Sequence, residues 1–265
     1  MKKKKIRISI LIANYNNKKF LRRCIHACLK QNIKKNFEVI FIDDNSTDGS
    51  LKLANKFKKK INIIKTLKEK NISKFNTFYQ LNTYYQGLLK AKGEIICFLD
   101  SDDFFKRNKL EEIDKQFSVN KNANIIFDKP LFLNSEYKYF LNDNKYGFRK
   151  NIWPKFPPQS CISVKKNFLI KNINFLFRRK FPMTTLDFRL AALADSNKTK
   201  SIFIKKNLTV YFQHDNNESI KFFKKFSINW FKRRKEAYLY YIQTNKQKFF
   251  TIDYYITILI NFFLK

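Results

Sequence analysis

The feature that most limits how this chain can fold is a short apolar run that ends in a burst of like charge. Ile95-Ile96-Cys97-Phe98-Leu99 reads as a buried strand, and Asp100, Asp102 and Asp103 follow it at once, three carboxylates within four positions. Packing alone does not place so much charge at the end of a hydrophobic strand. Carboxylate oxygens are hard ligands suited to Mg2+ or Mn2+, and such an ion commonly takes a substrate's phosphates as its remaining ligands. Aspartate also serves turns and helix N-caps, so an isolated Asp-x-Asp-Asp decides nothing until the rest of the chain is considered.

From Ile6 to Arg107 strand and helix patterns alternate. Ile8 to Ile12 is a first strand, and Phe20, Leu21, Cys24, Ile25, Cys28 and Leu29 recur at helical spacing over roughly 18–31. Phe37 to Ile42 is a second strand, followed by a short helix with Leu51, Ala54 and Phe57 and a third strand from Ile61 to Ile64. A long helix spans about 76–91, with Phe78, Leu81, Tyr85, Leu88 and Leu89 expected to face inward. After the strand at 95–99 come a helix around Leu110, Ile113 and Phe117 and a strand from Ala123 to Phe127. Units of this kind predict an α/β fold, a mostly parallel sheet covered by helices on both faces. Such sheets bind ligands beyond the carboxyl ends of their strands. Asn14-Tyr15-Asn16-Asn17, Asp43-Asp44 and Asp100-Ser101-Asp102 all lie at carboxyl ends, so three polar clusters converge on one edge.

Composition narrows the choice less than its extremes suggest. The 265 residues suffice for one large domain, or one domain with an appendage, and 44% are apolar. The balance of 55 Lys and Arg against 21 Asp and Glu gives +34, which attracts polyanions. Abundant Lys, Asn, Ile and Phe beside 4 Gly and 5 Pro also fit drift in an A/T-rich coding sequence, so charge alone is weak evidence of function. Cys24, Cys28, Cys97 and Cys161 have no metal-site or Cys-x-x-Cys spacing; Cys97 and Cys161 sit in apolar runs and are expected to be buried thiols of a cytoplasmic protein. The apolar run behind Lys2 to Lys5 is too short and interrupted for a secretory signal. Neither a Gly-x-Gly-x-x-Gly turn nor a P-loop is present, which leaves dinucleotide and P-loop nucleotide sites unsupported.

Taken together, Ser9 through Asn17, Phe41 through Ser50, and Gly93-Glu94 through Asp103 resemble the family 2 glycosyltransferases of GT-A fold, strongly over about residues 6–115 and more weakly to about 215. The resemblance implies inverting transfer of a sugar from a nucleotide-diphosphate donor, typically a UDP-sugar, with Mn2+ or Mg2+. It points to a saccharide or lipid-linked acceptor in surface polysaccharide or lipopolysaccharide biosynthesis. Carried over by position, Ala13, Tyr15, Asp44, Asp100 and Ser101 fall to the nucleotide sugar. Tyr15 lies beside the base, Asp44 accepts from it, and Asp100 lies near ribose and phosphates. Asp102 matches the metal-bridging carboxylate. The side-chain chemistry suits these roles: an aromatic face stacks on a base, and a carboxylate accepts from a ring N–H. The chain departs from the family at Ala13, where Pro or Thr is frequent, at Tyr85-Gln86-Gly87, where an arginine and an asparagine are usual, and at Arg107, where Pro is common.

In the second half, Lys155-Phe156-Pro157-Pro158 marks a turn and Ser160 to Val164 a strand. Asp187, at a helix start in Thr184 to Leu193, is the candidate catalytic base, with Asp128 in reserve and dipole stabilisation as the plainer reading. His214, shortly before Ser219, resembles a family histidine that touches diphosphate or metal, although a lone histidine after a strand also serves structure.

Residues 1–218 read as the transferase domain and 219–265 as a basic, aromatic helical tail, with ten Lys and Arg against Glu236 and Asp253, a net +8. Aromatics alternating with cations at 221–235 suit a helix in an anionic membrane interface, and a helical pair packed on the domain or on a second copy of the chain explains them equally. Phe249 to Leu264, interrupted by Asp253 and Asn261, falls short of a spanning helix. The localisation expected is cytoplasmic, with peripheral contact at the inner membrane face. A nucleotidyltransferase would want a Gly-rich loop after the first strand, and Ala13 to Asn17 has no Gly. A nucleic-acid-binding protein would explain the charge but not the acidic cluster, so no nucleic-acid partner is expected.

Overall fold

The computed structural model of the chain describes residues 5–66, 76–141, 147–149, 152–195, 200–214, 223–246 and 251–264. The first half runs β1 (Ile8–Asn14), α1 (Lys18–Leu29), β2 (Phe37–Asp43), α2 (Ser50–Asn55), β3 (Asn62–Lys65), α3 (Asn76–Lys90), β4 (Ile95–Asp100), β5 (Phe104–Phe105) and α4 (Lys109–Val119). There follow β6 (Ile125–Leu133), β7 (Tyr139–Phe140), β8 (Gly147–Arg149), β9 (Ile152–Lys155), a 3-10 turn (Gln159–Cys161) and β10 (Ile162–Lys165). The last third is α5 (Lys166–Lys171), α6 (Ile173–Leu176), α7 (Leu186–Asp195), β11 (Ser201–Phe212), α8 (Ile228–Asn245) and α9 (Ile252–Phe263).

The main sheet has the order β3-β2-β1-β4-β10-β6-β11-β5, with β7 beside β6. The parallel arrangement expected from the alternating pattern holds for β3, β2, β1 and β4. The sheet as a whole is mixed, because β10 enters antiparallel between β4 and β6. Register places Ala13 opposite both Ile42 and Asp100, and Asn14 opposite Asp43. The three polar clusters therefore end on one line, at the carboxyl edge.

Every residue of β1 is buried, and strand alternation divides it between two cores. Ile8, Ile10 and Ile12 pack with Leu21, Cys24, Ile25 and Cys28 of α1 on one face. Leu11 and Ala13 pack with Tyr84 and Leu88 of α3 and Leu190 of α7 on the other. All four cysteines are free and buried, as expected for Cys97 and Cys161.

Two glycines permit close approach of backbone. A Cβ on Gly93 would lie 2.4 Å from the Ser9 nitrogen, and one on Gly87 would lie 2.8 Å from Ile42 Cδ1. With Gly87 against β2, the rotation of α3 is set. That rotation corrects the expected inward face: Tyr84 is fully buried, Tyr85 is half-buried and Leu89 is exposed. The strand expected at 160–164 also shifts, because Gln159–Cys161 forms the 3-10 turn first. Asp128 is ruled out as a reserve base. It is buried in an ion pair with Lys109, and its other oxygen accepts from the Thr209 hydroxyl at 2.9 Å.

The C-terminal helices meet the rest of the chain through α8, whose Ala237, Tyr240 and Tyr241 pack against Phe181 and against Phe188 and Ala192 of α7. Packing on the body of the protein thus holds α8 through residues that follow the 221–235 pattern. Phe223 is buried and Phe226 exposed, while Lys221, Phe222, Phe249 and Phe250 lie outside the described residues. Beneath α8, the fully buried Arg189 donates to the carbonyls of Leu176 at 2.8 Å, Arg178 at 2.9 Å and Phe181 at 2.5 Å, tying down the segment that leads into α7.

Glu236 of α8 accepts from the Met183 N–H at 2.9 Å, and burial raises its carboxyl to about 7. The native state therefore holds a proton that the unfolded chain, titrating near 4.5, releases. Stability from this group is complete below about pH 4.5 and is lost as pH rises through about 7. Denaturant unfolding of wild type against Glu236→Gln should show wild type losing on the order of 1–3 kcal/mol relative to the variant between pH 5 and 8. A pH-independent difference would refute this coupling.

Candidate active site

The site is built from the ends of β1, β2 and β4, and its first half is a latch between two loops. The Asn14 amide donates to Asp43 and to the Ser46 hydroxyl, both at 3.0 Å, and Ser46 also accepts from the Asn16 N–H at 3.0 Å. The Thr47 N–H donates to Asn16 Oδ1 at 2.7 Å, and the Lys18 N–H to Asp48 at 2.7 Å. Asn16 takes φ 50°, a left-handed conformation that asparagine tolerates better than most residues. Held this way, the loop leaves Tyr15 half in solvent, 51% exposed. The two aspartates of β2's end divide their work. Asp43 is fully buried, taking Asn14 on one oxygen and the Ser46 N–H on the other. Asp44 is half-buried, with one oxygen accepting from the Thr66 hydroxyl at 2.7 Å.

The carboxylates after β4 each turn to a different element. Asp100 Oδ1 accepts from Tyr84 at 2.7 Å and Gln80 at 2.8 Å, both on α3. Asp103 is buried, accepting from the Ser160 hydroxyl at 2.6 Å and from the Phe212 N–H of β11 at 2.8 Å. Asp102 meets His214 Nε2 at 3.0 Å, and that ring lies 5.0 Å from Phe20 and 5.3 Å from Phe212. Arg23 donates to the Asp102 carbonyl at 3.1 Å with its guanidinium over Phe104. Burial, reinforced by the charge of Asp102, raises the Asp100 carboxyl to about 7 and lifts Asp103 well above the ordinary range.

The predicted residues thus gather unevenly. Ala13 is buried in β1, and its carbonyl accepts from the Ser101 N–H at 3.2 Å. Ser101 itself turns inward, 1% exposed, its hydroxyl accepting from Asn17 at 3.1 Å. Tyr15 and Asp44 lie on adjacent strand ends, and Asp100, Asp102 and His214 lie beside them. Asp187, half-buried at the start of α7, is near enough for its charge to add to the rise at Asp100. Burial also lifts the Asp187 carboxyl.

Sequence reasoning missed Gln80, Tyr84 and Ser160. The first two are spaced i, i+4 and so share one face of α3, but Asn82, Thr83 and Gln86 are polar as well, so spacing alone does not single them out. Nothing local distinguishes Ser160, whose hydroxyl accepts from the Asp100 N–H at 3.0 Å while donating to Asp103.

Among the described residues, no group of three or more His, Cys, Asp or Glu side chains could hold a metal ion. Asp102 and His214 offer two donors, one oxygen and one nitrogen, at one point. Such a pair fits a divalent ion that draws its remaining ligands from a phosphate-bearing substrate, and the imidazole suits Mn2+ better than Mg2+.

A mixed sheet of this order, with an acidic cluster at its carboxyl edge, fits the GT-A fold of glycosyltransferases. The model for Glycosyl transferase family 2 matches residues 9–181, and the chain belongs to that family. Glycosyltransferase GlyG of Streptococcus pneumoniae is 32% identical over 53% of this chain and 42% of its own length. The cholesterol galactosyltransferase of Borreliella burgdorferi is 30% identical over 69% of this chain and 47% of its own. The chain spans less than half the length of these relatives. Among solved structures, Staphylococcus aureus TarS 1–349 in complex with UDP superposes with TM-score 0.65 at 16% identity, over 92% of this chain and 67% of that one. A Pyrobaculum calidifontis mannosyltransferase in complex with GDP-Man and Mn2+ gives 0.61 at 12% identity, over 89% and 64%.

Replacing Ser160 by Ala strands both the Asp100 N–H and a buried carboxylate. It should cost about 1–3 kcal/mol in denaturant unfolding. Ser160→Thr, which keeps the hydroxyl, should recover most of that loss, and equal loss in both variants would count against the bridging role.

Proposed function

We propose that this family 2 glycosyltransferase moves a sugar, with inversion, from a UDP-sugar to a hydroxyl of a saccharide or lipid-linked acceptor used in surface polysaccharide assembly. The observation that carries the reading is the meeting of Asp102 and His214 at the end of β4, beside Asp100 and in line with the ends of β1 and β2. Three carboxylates crowded together, two of them shifted upward by burial and mutual repulsion, make a place where a cation is electrostatically favoured. TarS binding UDP supports the choice of donor, and the mannosyltransferase with Mn2+ supports the metal.

In this scheme Tyr15 stacks on the base. Asp44, oriented by Thr66, accepts from the ring N–H. Asp100 and the backbone at Ala13 and Ser101 form the wall beside ribose and phosphates. Asp102 and His214 would hold a divalent ion, which when bound would supply positive charge beside the leaving diphosphate. Asp187 takes the proton of the acceptor hydroxyl as that oxygen bonds to the anomeric carbon, opposite the breaking bond to diphosphate. Its upward shift suits a base that must hold a proton through the transfer. The Gln159 amide, 4% exposed and with no hydrogen-bond partner at either end among the described residues, remains for a substrate hydroxyl. Residues 1–218 form the transferase unit, 219–265 attach to it, and the whole works at the anionic inner face of the cytoplasmic membrane.

Calorimetric titration of UDP, GDP and dTDP with and without Mn2+ tests the donor site. Wild type should bind UDP in a metal-dependent manner, and Asp102→Ala should lose that dependence. Folded wild type that binds no nucleotide overturns the reading. Asp187→Asn should bind nucleotide like wild type while UDP release from a UDP-sugar in the presence of acceptor falls on the order of 10²–10⁴-fold. Unchanged turnover would remove Asp187 from the chemistry.

A further inference from the structure

The helix α9 turns polar residues toward α8. Asp253, its side chain 49% exposed, accepts from Arg234 and Tyr238 of α8, and the buried Asn261 donates to the Phe231 carbonyl at 3.0 Å. Thr257, between them, is 1% exposed. The opposite face presents Ile252, Tyr255, Ile256, Leu259, Phe262 and Phe263, exposed by 48–80%. Their spacing is one continuous stripe of a helix. Water gives no reason to turn an amphipathic helix this way, since burying the polar side forgoes the hydrophobic gain of the other. Something apolar covers the stripe.

Charge identifies what it is. The contacts of Asp253 with Arg234 and Tyr238, and of Asn261 with Phe231, run α8 and α9 antiparallel, so the start of α8 lies beside the end of α9. Lys224 and Lys225, just before α8, and Lys232 in its first turns are all exposed at the end where Phe262 and Phe263 project. A second copy of the chain on this stripe would bring together two molecules of +34 each. Apolar side chains flanked by lysines instead match a bilayer surface with anionic headgroups. At 12 residues α9 is about 18 Å long, too short to span hydrocarbon but long enough to lie along it. No described helix is long and apolar enough to cross a membrane.

We propose that α9 lies in the membrane interface with its Ile252–Phe263 stripe in the acyl boundary, while the lysines beside it hold anionic lipid headgroups. The inference rests on the membrane setting proposed above and adds the element that inserts. It also aims the molecule: α8 joins α9 to α7, whose first turn carries Asp187, so the tail that enters the lipid is packed on the helix that begins in the site.

The test uses the full chain with vesicles of phosphatidylcholine alone or mixed with phosphatidylglycerol. Three proteins are compared: wild type, Ile256→Ser/Leu259→Ser/Phe262→Ser, and Phe263→Cys carrying an environment-sensitive fluorophore. The substituted positions are exposed and the serine variant conserves charge, so UDP binding reports that each protein is folded. Wild type should co-sediment with phosphatidylglycerol vesicles and resist elution by 0.5 M salt. The triple variant should partition at least about tenfold less, and the label should shift to the blue on anionic vesicles. Wild type that stays in solution at low salt overturns both the membrane setting and the insertion. Salt-reversible binding that is equal in the triple variant, with an unshifted label, overturns the insertion and leaves the setting standing. A wild-type dimer that the triple variant converts to monomer assigns the stripe to a second copy and overturns the proposal.

Discussion

Three aspartates at the end of one buried strand repel each other, and much of the structure serves to keep them in place. The repulsion is relieved by sending each carboxylate to a different partner. Asp100 turns to Tyr84 and Gln80 on α3, Asp103 to Ser160 and the backbone of β11, and Asp102 to His214. Ser160 grips both Asp100 and Asp103, so the turn between them has little room to move. A buried polar network of this kind is strong when every member is satisfied and costly when one is lost.

The other half of the site depends on a simpler constraint. Short polar side chains tie the loop after β1 to the loop after β2, using Asn14, Asn16, Ser46 and Asp48. These bonds hold the two loops together while Tyr15 stands half in solvent and Asp44 sits half-buried at the rim. Farther along, Arg189 gathers four backbone carbonyls, those of Leu176, Arg178, Phe181 and Thr184, beneath α8, and the start of α7 depends on that clamp. The helices after residue 218 are thus coupled to the side of the site that carries Asp187.

How much was legible follows from how local each feature is. The edge where the site lies could be read from three polar clusters behind three apolar strands, because strand period and chain order fix which ends coincide. The inward face of α3 could not: Tyr84 rather than Tyr85 is buried because Gly87 lets the helix settle against Ile42, a contact between residues 45 apart. Asp128 looked available as a base for the same reason, since its partner Lys109 lies on another element. The pattern at 221–235 suited a membrane or a protein surface equally; the residues of α8 that pack on α7 follow it, at Ala237, Tyr240 and Tyr241, and the exposed apolar stripe falls to the next helix.

The sequence by itself determined the alternating α/β order, the carboxyl-edge location of the acidic cluster and the family, because these rest on periodicity and on motifs contiguous in the chain. Tertiary structure alone decided which carboxylates are buried and which face outward, that Ser160 bridges two of them, and that α9 turns its polar side inward. Those outcomes depend on contacts between residues tens of positions apart, such as Ser160 with Asp103, Phe212 with Asp103 and Asn261 with Phe231. Burial and hydrogen-bond satisfaction are properties of the packed chain, and no local spacing encodes them.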